Sequence, residues 1–183
     1  MDFEQLKAQL LPSSKDAKLN LGQLFNSAQY AGLDSKDIHG MAMACAYALK
    51  NKDIASAISS HQDFSLDAVH LAASQSAASI MAMNNVYYRS VHLMSAIDLK
   101  KTPAGLRMNQ MAQHGIDQNR FELYATAVSA LNGCGMCLDA HAKVLSMASV
   151  SASAIQMALK VAAIIASVDC ALAISAMEMN CHE

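Results

Sequence analysis

The residues with the most chemistry lie together in Leu131-Asn132-Gly133-Cys134-Gly135-Met136-Cys137-Leu138-Asp139-Ala140-His141. Two cysteines stand three apart, and a histidine follows the second by four. Asn132-Gly133 is a strong helix breaker, and no Gly or Pro occurs between Met136 and the last residue. The pattern therefore predicts a helix that starts near Cys134. Positions i, i+3, i+4 and i+7 of a helix share a face, so Cys134, Cys137 and His141 form one column. Two sulfurs so spaced at a helix start can meet as a disulfide. The histidine, one turn from Cys137, can take or return its proton.

The residue types suit redox work. The thiolate is the nucleophile, and a free thiol with pKa ~8.5 is mostly protonated at neutral pH. A helix N-terminus favours the thiolate through its partial positive charge, and an imidazole one turn away supplies a base. The second cysteine can resolve a sulfenic acid or a mixed disulfide formed by the first. Two other readings compete. A Cys-x-x-Cys pair with His141 could hold zinc, although four-ligand zinc sites want a second pair of ligands and none follows. The cysteines could also be inert core residues. Helix-start electrostatics alone favour Cys134 as the more acidic thiol, whereas the spacing to His141 favours Cys137.

These residues need a frame, and the rest of the chain reads as helices. The 183 residues suit one domain, and 54% are hydrophobic, drawn from Ala, Met, Leu and Ile more than from aromatics. With only 2 Pro and 7 Gly, the composition favours helix over strand. A net charge of -2 gives no electrostatic case for nucleic acid or an anionic membrane. The first residues lack the basic and apolar regions of a signal peptide. Five cysteines with one close pair fit a reducing, cytoplasmic setting.

Residues 1–11 read as an amphipathic helix stopped by Pro12, and 16–30 as a second helix. Asp34 or Ser35 caps a helix through Leu49, with Asn51-Lys52-Asp53 as a polar interruption before a short helix at 54–60. Ser65-Leu66-Asp67 caps a long helix through Met83, and Asn84-Asn85-Val86-Tyr87-Tyr88-Arg89 lies near its end or in a linking segment. Lys100-Lys101-Thr102-Pro103 reads as the clearest boundary. Beyond it the pattern recurs: Asp34…Ile38 aligns with Asp117…Phe121, and Ser65-Leu66-Asp67 with Ser151-Ala152-Ser153. The reading is one all-α domain over 1–183 made of two related halves, about 1–100 and 101–183, with the Cys-x-x-Cys at a helix start in the second. The apolar segment 161–177 is slightly short for a membrane span and holds Asp169, which favours a buried helix or subunit interface.

Glu122 lies 12 residues before Cys134, on a predicted helix 121–131. It reads either as an ordinary acidic residue near a helix start or as a partly buried carboxylate that orients His141. The set Glu122, Cys134-Gly135-Met136-Cys137 and His141 resembles the motif of the alkyl hydroperoxide reductase D (AhpD) family, in the carboxymuconolactone decarboxylase-like superfamily. Leu19-Asn20-Leu21-Gly22, Met83-Asn84-Asn85-Val86-Tyr87-Tyr88-Arg89, Leu106-Arg107-Met108-Asn109 and Phe121-Glu122-Leu123 resemble the family too, so the likeness covers nearly the whole chain.

The resemblance implies an AhpD-like helical fold and a homotrimer. It implies an antioxidant dithiol enzyme that regenerates a peroxiredoxin of the alkyl hydroperoxide reductase C type. Electrons would come from dihydrolipoamide on carrier proteins such as a lipoylated acyltransferase, with no bound cofactor or metal. Weak direct reduction of hydroperoxides, a lipoyl-dependent peroxiredoxin activity, is implied as well. Cys137 would pass through sulfenic acid and link to the partner. Cys134 would be proton donor and disulfide partner, and Glu122 and His141 the proton relay. Some members carry a histidine between the cysteines, where this chain has Met136. A lactone decarboxylase of the same superfamily is the rival enzyme, and it has no need of two cysteines. Cys45, Cys170 and Cys181 are expected to stay outside the redox chemistry.

Overall fold

The computed structural model describes residues 1–26, 30–99 and 101–180, and among them there is no strand. The helices run α1 Phe3–Gln9, α2 Lys15–Leu24, α3 Ser35–Ala48, α4 Lys52–Ser59, α5 Ala68–Leu93, α6 Gln118–Leu131, α7 Gly135–Met147 and α8 Ala152–Asn180. Short 3₁₀ turns at Pro12–Ser14 and Asn109–Met111 separate some of them.

Aspartates start most of the core helices. Asp34 accepts the N–H of Asp37, while Asp37 accepts the N–H of Asp34, a reciprocal cap that fixes the start of α3. Asp67 accepts from the His70 N–H and Asp117 from the Arg120 N–H, at the starts of α5 and α6. Between them, α3 and α6 form the centre of the molecule. Nearly every residue from Asp37 to Ala46 and from Phe121 to Ser129 is buried, so neither helix has a wet face. Both are rich in alanine, which lets their backbones approach. At the crossing, the Tyr124 ring lies over Gly40, where a Cβ would overlap the phenol. The Tyr124 hydroxyl donates to the Lys36 carbonyl at 2.8 Å. Arg120 bridges Asp34 at 2.7 Å and Asp37 at 3.0 Å, so α6 is tied to the first turn of α3.

Around this pair, α5 packs on α3 and α6, α8 packs on α6, α3 and α2, and α7 sits against α6 and α5. The order of a capped central helix, a short helix and a long helix therefore occurs twice, as α3–α4–α5 and α6–α7–α8. Lys50 and Gly133, which end the two central helices, share the left-handed backbone conformation with φ of 60° and 62°. Asn51 and Cys134 follow them as the caps of α4 and α7.

Several boundaries differ from the sequence reading. Asn51-Lys52-Asp53 starts a helix instead of interrupting one, because the Asn51 side chain accepts the N–H groups of Asp53 and Ile54. Asn84 to Arg89 is not a linker: it lies near the end of α5, which continues through it to Leu93. Asparagine usually competes with helical backbone, but Asn85 bonds Ser129 on α6 and Asn132 in the turn after it, so its side chain is engaged elsewhere. The second predicted helix stops at Leu24, and residues 27–29 lie outside the described residues, as does Lys100 of the boundary segment. Residues 101–103 of that segment, and 104–108 beyond it, are non-helical. By length and composition α8 could cross a bilayer, and 44% of its most apolar stretch is buried against the rest of the chain. Its mid-helix Asp169 accepts from the Asn51 amide at 2.8 Å.

Candidate active site

Gly133, with φ +62°, ends α6 and turns the chain straight into α7. That turn places Cys134 as the residue capping α7, with extended backbone, and Cys137 in the first helical turn. Their sulfurs are joined in a disulfide with a Cα–Cα distance of 5.3 Å, inside the range such bonds occupy. Cys134 is fully buried, and Cys137 retains a little exposure at 6%. Of the two residues, Cys137 is therefore the less completely covered. Its sulfur lies 4.0 Å from the Asn84 carbonyl of α5.

One turn further on, His141 is buried, and its Nδ1 is 2.6 Å from Oε2 of Glu122. Glu122 reaches it from α6 and is itself 4% exposed. A carboxylate only accepts hydrogen bonds, so Nδ1 carries the proton toward Glu122. This leaves Nε2 as the nitrogen free for exchange, and it sits 3.3 Å from the Met81 sulfur. The four residues singled out in the sequence therefore come together as two pairs, one disulfide and one imidazole–carboxylate, on the facing helices α6 and α7. Glu122 lies past the first turn of α6, buried and paired with His141.

Further residues complete the site. Gln118 donates its amide to the other oxygen of Glu122 at 2.9 Å, and His114 bonds Gln118 at 2.9 Å. From α5, the Met81 sulfur accepts from Ser129 at 3.4 Å and Asn85 at 3.8 Å, and it lies beside His141 Nε2. Asn132, in the turn before Cys134, donates to Asn85 at 2.9 Å, and Arg89 donates to the Asn132 carbonyl. The turn that presents the dithiol is thus held by α5. Asn84, Asn85 and Arg89 fall in one of the segments that carried the resemblance, whereas Met81, Gln118 and His114 carried no signal in spacing or type.

Comparisons with known proteins show which family the chain resembles. A protein from Bradyrhizobium sp. (strain ORS 278), named alkyl hydroperoxide reductase AhpD, is 48% identical over 172 residues, 94% of this chain and 93% of its own. The chain belongs to the AhpD family. Two further AhpD proteins agree: one from Coxiella burnetii (strain RSA 493 / Nine Mile phase I) is 46% identical over 163 residues, 89% of this chain and 92% of its own. One from Brucella canis (strain ATCC 23365 / NCTC 10854 / RM-666) is 44% identical over 172 residues, 94% of this chain and 97% of its own. Residues 97–177 match the carboxymuconolactone decarboxylase family, the wider group in which AhpD stands. That segment contains Glu122, Cys134, Cys137 and His141.

The remaining cysteines are placed differently from the AhpD pair. Cys45 is fully buried in α3, and burial pushes its thiol far above the ordinary range. Cys170 is exposed on α8, and Cys181 lies outside the described residues. Among the described residues no group of three or more His, Cys, Asp or Glu is arranged to hold a metal ion.

Proposed function

We propose that this chain is an antioxidant dithiol oxidoreductase of the alkyl hydroperoxide reductase system. The observation that carries the proposal is the Cys134–Cys137 disulfide on a helix whose next turn holds an imidazole bonded to a buried carboxylate at 2.6 Å. That combination supplies an exchangeable disulfide and a base whose outward nitrogen is fixed by its partner.

In the first half-reaction a dihydrolipoyl thiolate attacks the disulfide and forms a mixed disulfide. Its second thiol then closes to lipoyl disulfide, leaving Cys134 and Cys137 reduced. Two electrons and two protons pass from the donor to the enzyme. In the second half-reaction His141 takes the proton of Cys137, and the thiolate attacks either the disulfide of a partner peroxiredoxin or the distal oxygen of a hydroperoxide. Peroxide attack yields the Cys137 sulfenic acid and an alcohol. Cys134 then displaces water from that sulfur, acting as proton donor and restoring the disulfide. Attack on the peroxiredoxin gives a mixed disulfide through Cys137, which Cys134 resolves. The donor is dihydrolipoamide on a carrier such as a lipoylated acyltransferase, and the receiving protein is of the alkyl hydroperoxide reductase C type. The relatives carry the name alkyl hydroperoxide reductase. Met136 occupies the place of a histidine found in some of the family, so the relay of Glu122 and His141 has no second imidazole between the cysteines here.

The test is reconstitution. The chain, dihydrolipoamide and the peroxiredoxin together should consume an alkyl hydroperoxide much faster than the chain and dihydrolipoamide without the peroxiredoxin. Equal rates with and without this chain would contradict the reading.

A further inference from the structure

The hydrogen bonds of Glu122 extend outward past His141. Glu122 is 4% exposed, yet the residue lying between it and water on this side, Gln118, is an exposed side chain. Gln118 is the first residue of α6, and Glu122 follows one turn later on the same face. Its amide nitrogen lies 2.9 Å from Glu122 Oε1, and its amide oxygen 2.9 Å from His114 Nε2.

The direction of this amide is determined by its neighbours. Glu122 can only accept, so the NH₂ end of Gln118 must face it. The Gln118 oxygen then accepts, so His114 Nε2 must be the protonated nitrogen. His114 Nδ1 accepts the Ile116 N–H at 3.3 Å, which is consistent with that same tautomer. The His114 ring is held in place by stacking on Phe121, with centroids 4.1 Å apart and planes 7° from parallel. Reversing the Gln118 amide would set NH₂ against an N–H and oxygen against a carboxylate. His114 therefore selects the amide orientation that donates to Glu122.

We propose that Gln118, oriented by His114, is a positioning residue that holds Glu122 as an oriented carboxylate and through it fixes the His141 tautomer. The proposal rests on the dithiol reading above. Both oxygens of Glu122 then have a donor, from Gln118 on one side and His141 Nδ1 on the other. Without the Gln118 donor the carboxylate is free to turn, and the exchange nitrogen of His141 is no longer fixed.

A space-filling role and a donating role predict opposite orders of damage. Gln118→Met keeps the cover over Glu122 but removes the donor, leaving a buried carboxylate oxygen unsatisfied. Gln118→Ala opens the site, and water can replace the lost donor. Gln118→Glu places like charges together. The readouts are the alkylation rate of reduced Cys137 at pH 7 and, in the disulfide form, the NMR signal of the His141 Nδ1 proton.

The expected result is that Gln118→Met slows alkylation about ten-fold, that Gln118→Ala stays within about three-fold of wild type, and that Gln118→Glu is at least as slow as Gln118→Met. The Gln118→Met difference should close above pH ~8.5, where the thiolate forms without help. It should also vanish in a Glu122→Gln background. The Nδ1 proton signal should move in Gln118→Met. His114→Phe, which keeps the stack on Phe121, should show a smaller change in the same direction. Wild-type behaviour of Gln118→Met in both readouts would overturn the proposal, as would Gln118→Ala being the more damaged. The NMR readout needs no donor or peroxide. If it moves while Glu122→Gln leaves alkylation unchanged, the dithiol–base reading fails and the positioning role stands.

Discussion

At the residue scale, the chemistry depends on which groups act as one unit. In the proposed mechanism Glu122 orients His141 and His141 serves Cys137, so the two act in series. His141→Phe and Glu122→Phe should each cut turnover with dihydrolipoamide, and the double substitution should cost little more than the worse single. A general base typically contributes 10²–10⁴-fold, which sets the size of the loss to look for in steady-state rates. Raising the pH above ~8.5 should partly restore His141→Phe. Losses that multiply, with no restoration at high pH, would mean that the two residues are not coupled. The choice between the cysteines belongs to this scale as well. In the sequence, helix-start electrostatics favour Cys134 and the spacing to His141 favours Cys137, and the reading sides with Cys137. The structure gives Cys137 the residual exposure, with Cys134 fully covered. Cys134→Ser should therefore accumulate a mixed disulfide with the peroxiredoxin through Cys137, visible on a non-reducing gel, whereas Cys137→Ser should accumulate none.

At the element scale, the site depends on α3 and α6 lying close together. The Gly40–Tyr124 contact sets that distance, and Gly40→Ala would force the phenol aside. Overpacking of this kind costs about 1–3 kcal/mol, so the urea midpoint should fall measurably, and an unchanged midpoint would show that the crossing can relax. A second stability term comes from His39 on α3, fully buried and stacked on Phe25 at 4.8 Å. Burial, with the neighbouring His61, lowers its pKa to about 4. The unfolded chain takes up this proton near pH 6.5 and the folded chain only near 4. Stability from this group is thus present above pH 6.5 and lost as pH falls toward 4. Urea midpoints should drop more steeply over that window in wild type than in His39→Leu. Helix starts were legible in the sequence because Asp34, Asp67 and Asp117 are local signals. The column of Cys134, Cys137 and His141 was legible because one helix carries it. The continuation of α5 through Asn84-Asn85 was not, since what keeps Asn85 helical is a partner 44 residues away. Met81, Gln118 and His114 were hidden for the same reason: tertiary packing and one loop bring them to the site, and periodicity records neither.

At the scale of the whole molecule, α5, α7 and α8 leave apolar residues in water, among them Leu93, Met147, Met177 and Met179, each more than 60% exposed. Exposed apolar surface of this kind is commonly covered by another copy of a chain. Light scattering at micromolar concentration should return a multiple of 19.5 kDa, with three copies as the proposed state, and a monomer mass would contradict it. The central claim concerns the dithiol itself and is tested by following it directly. Oxidised protein should be mixed with one equivalent of dihydrolipoamide, quenched with an alkylating agent and read by mass spectrometry. Cys134 and Cys137 should gain two labels together, and a following equivalent of alkyl hydroperoxide should abolish both, while Cys45 and Cys170 keep their original state. A pair that stays unlabelled after the donor, or stays labelled after the peroxide, would contradict the account.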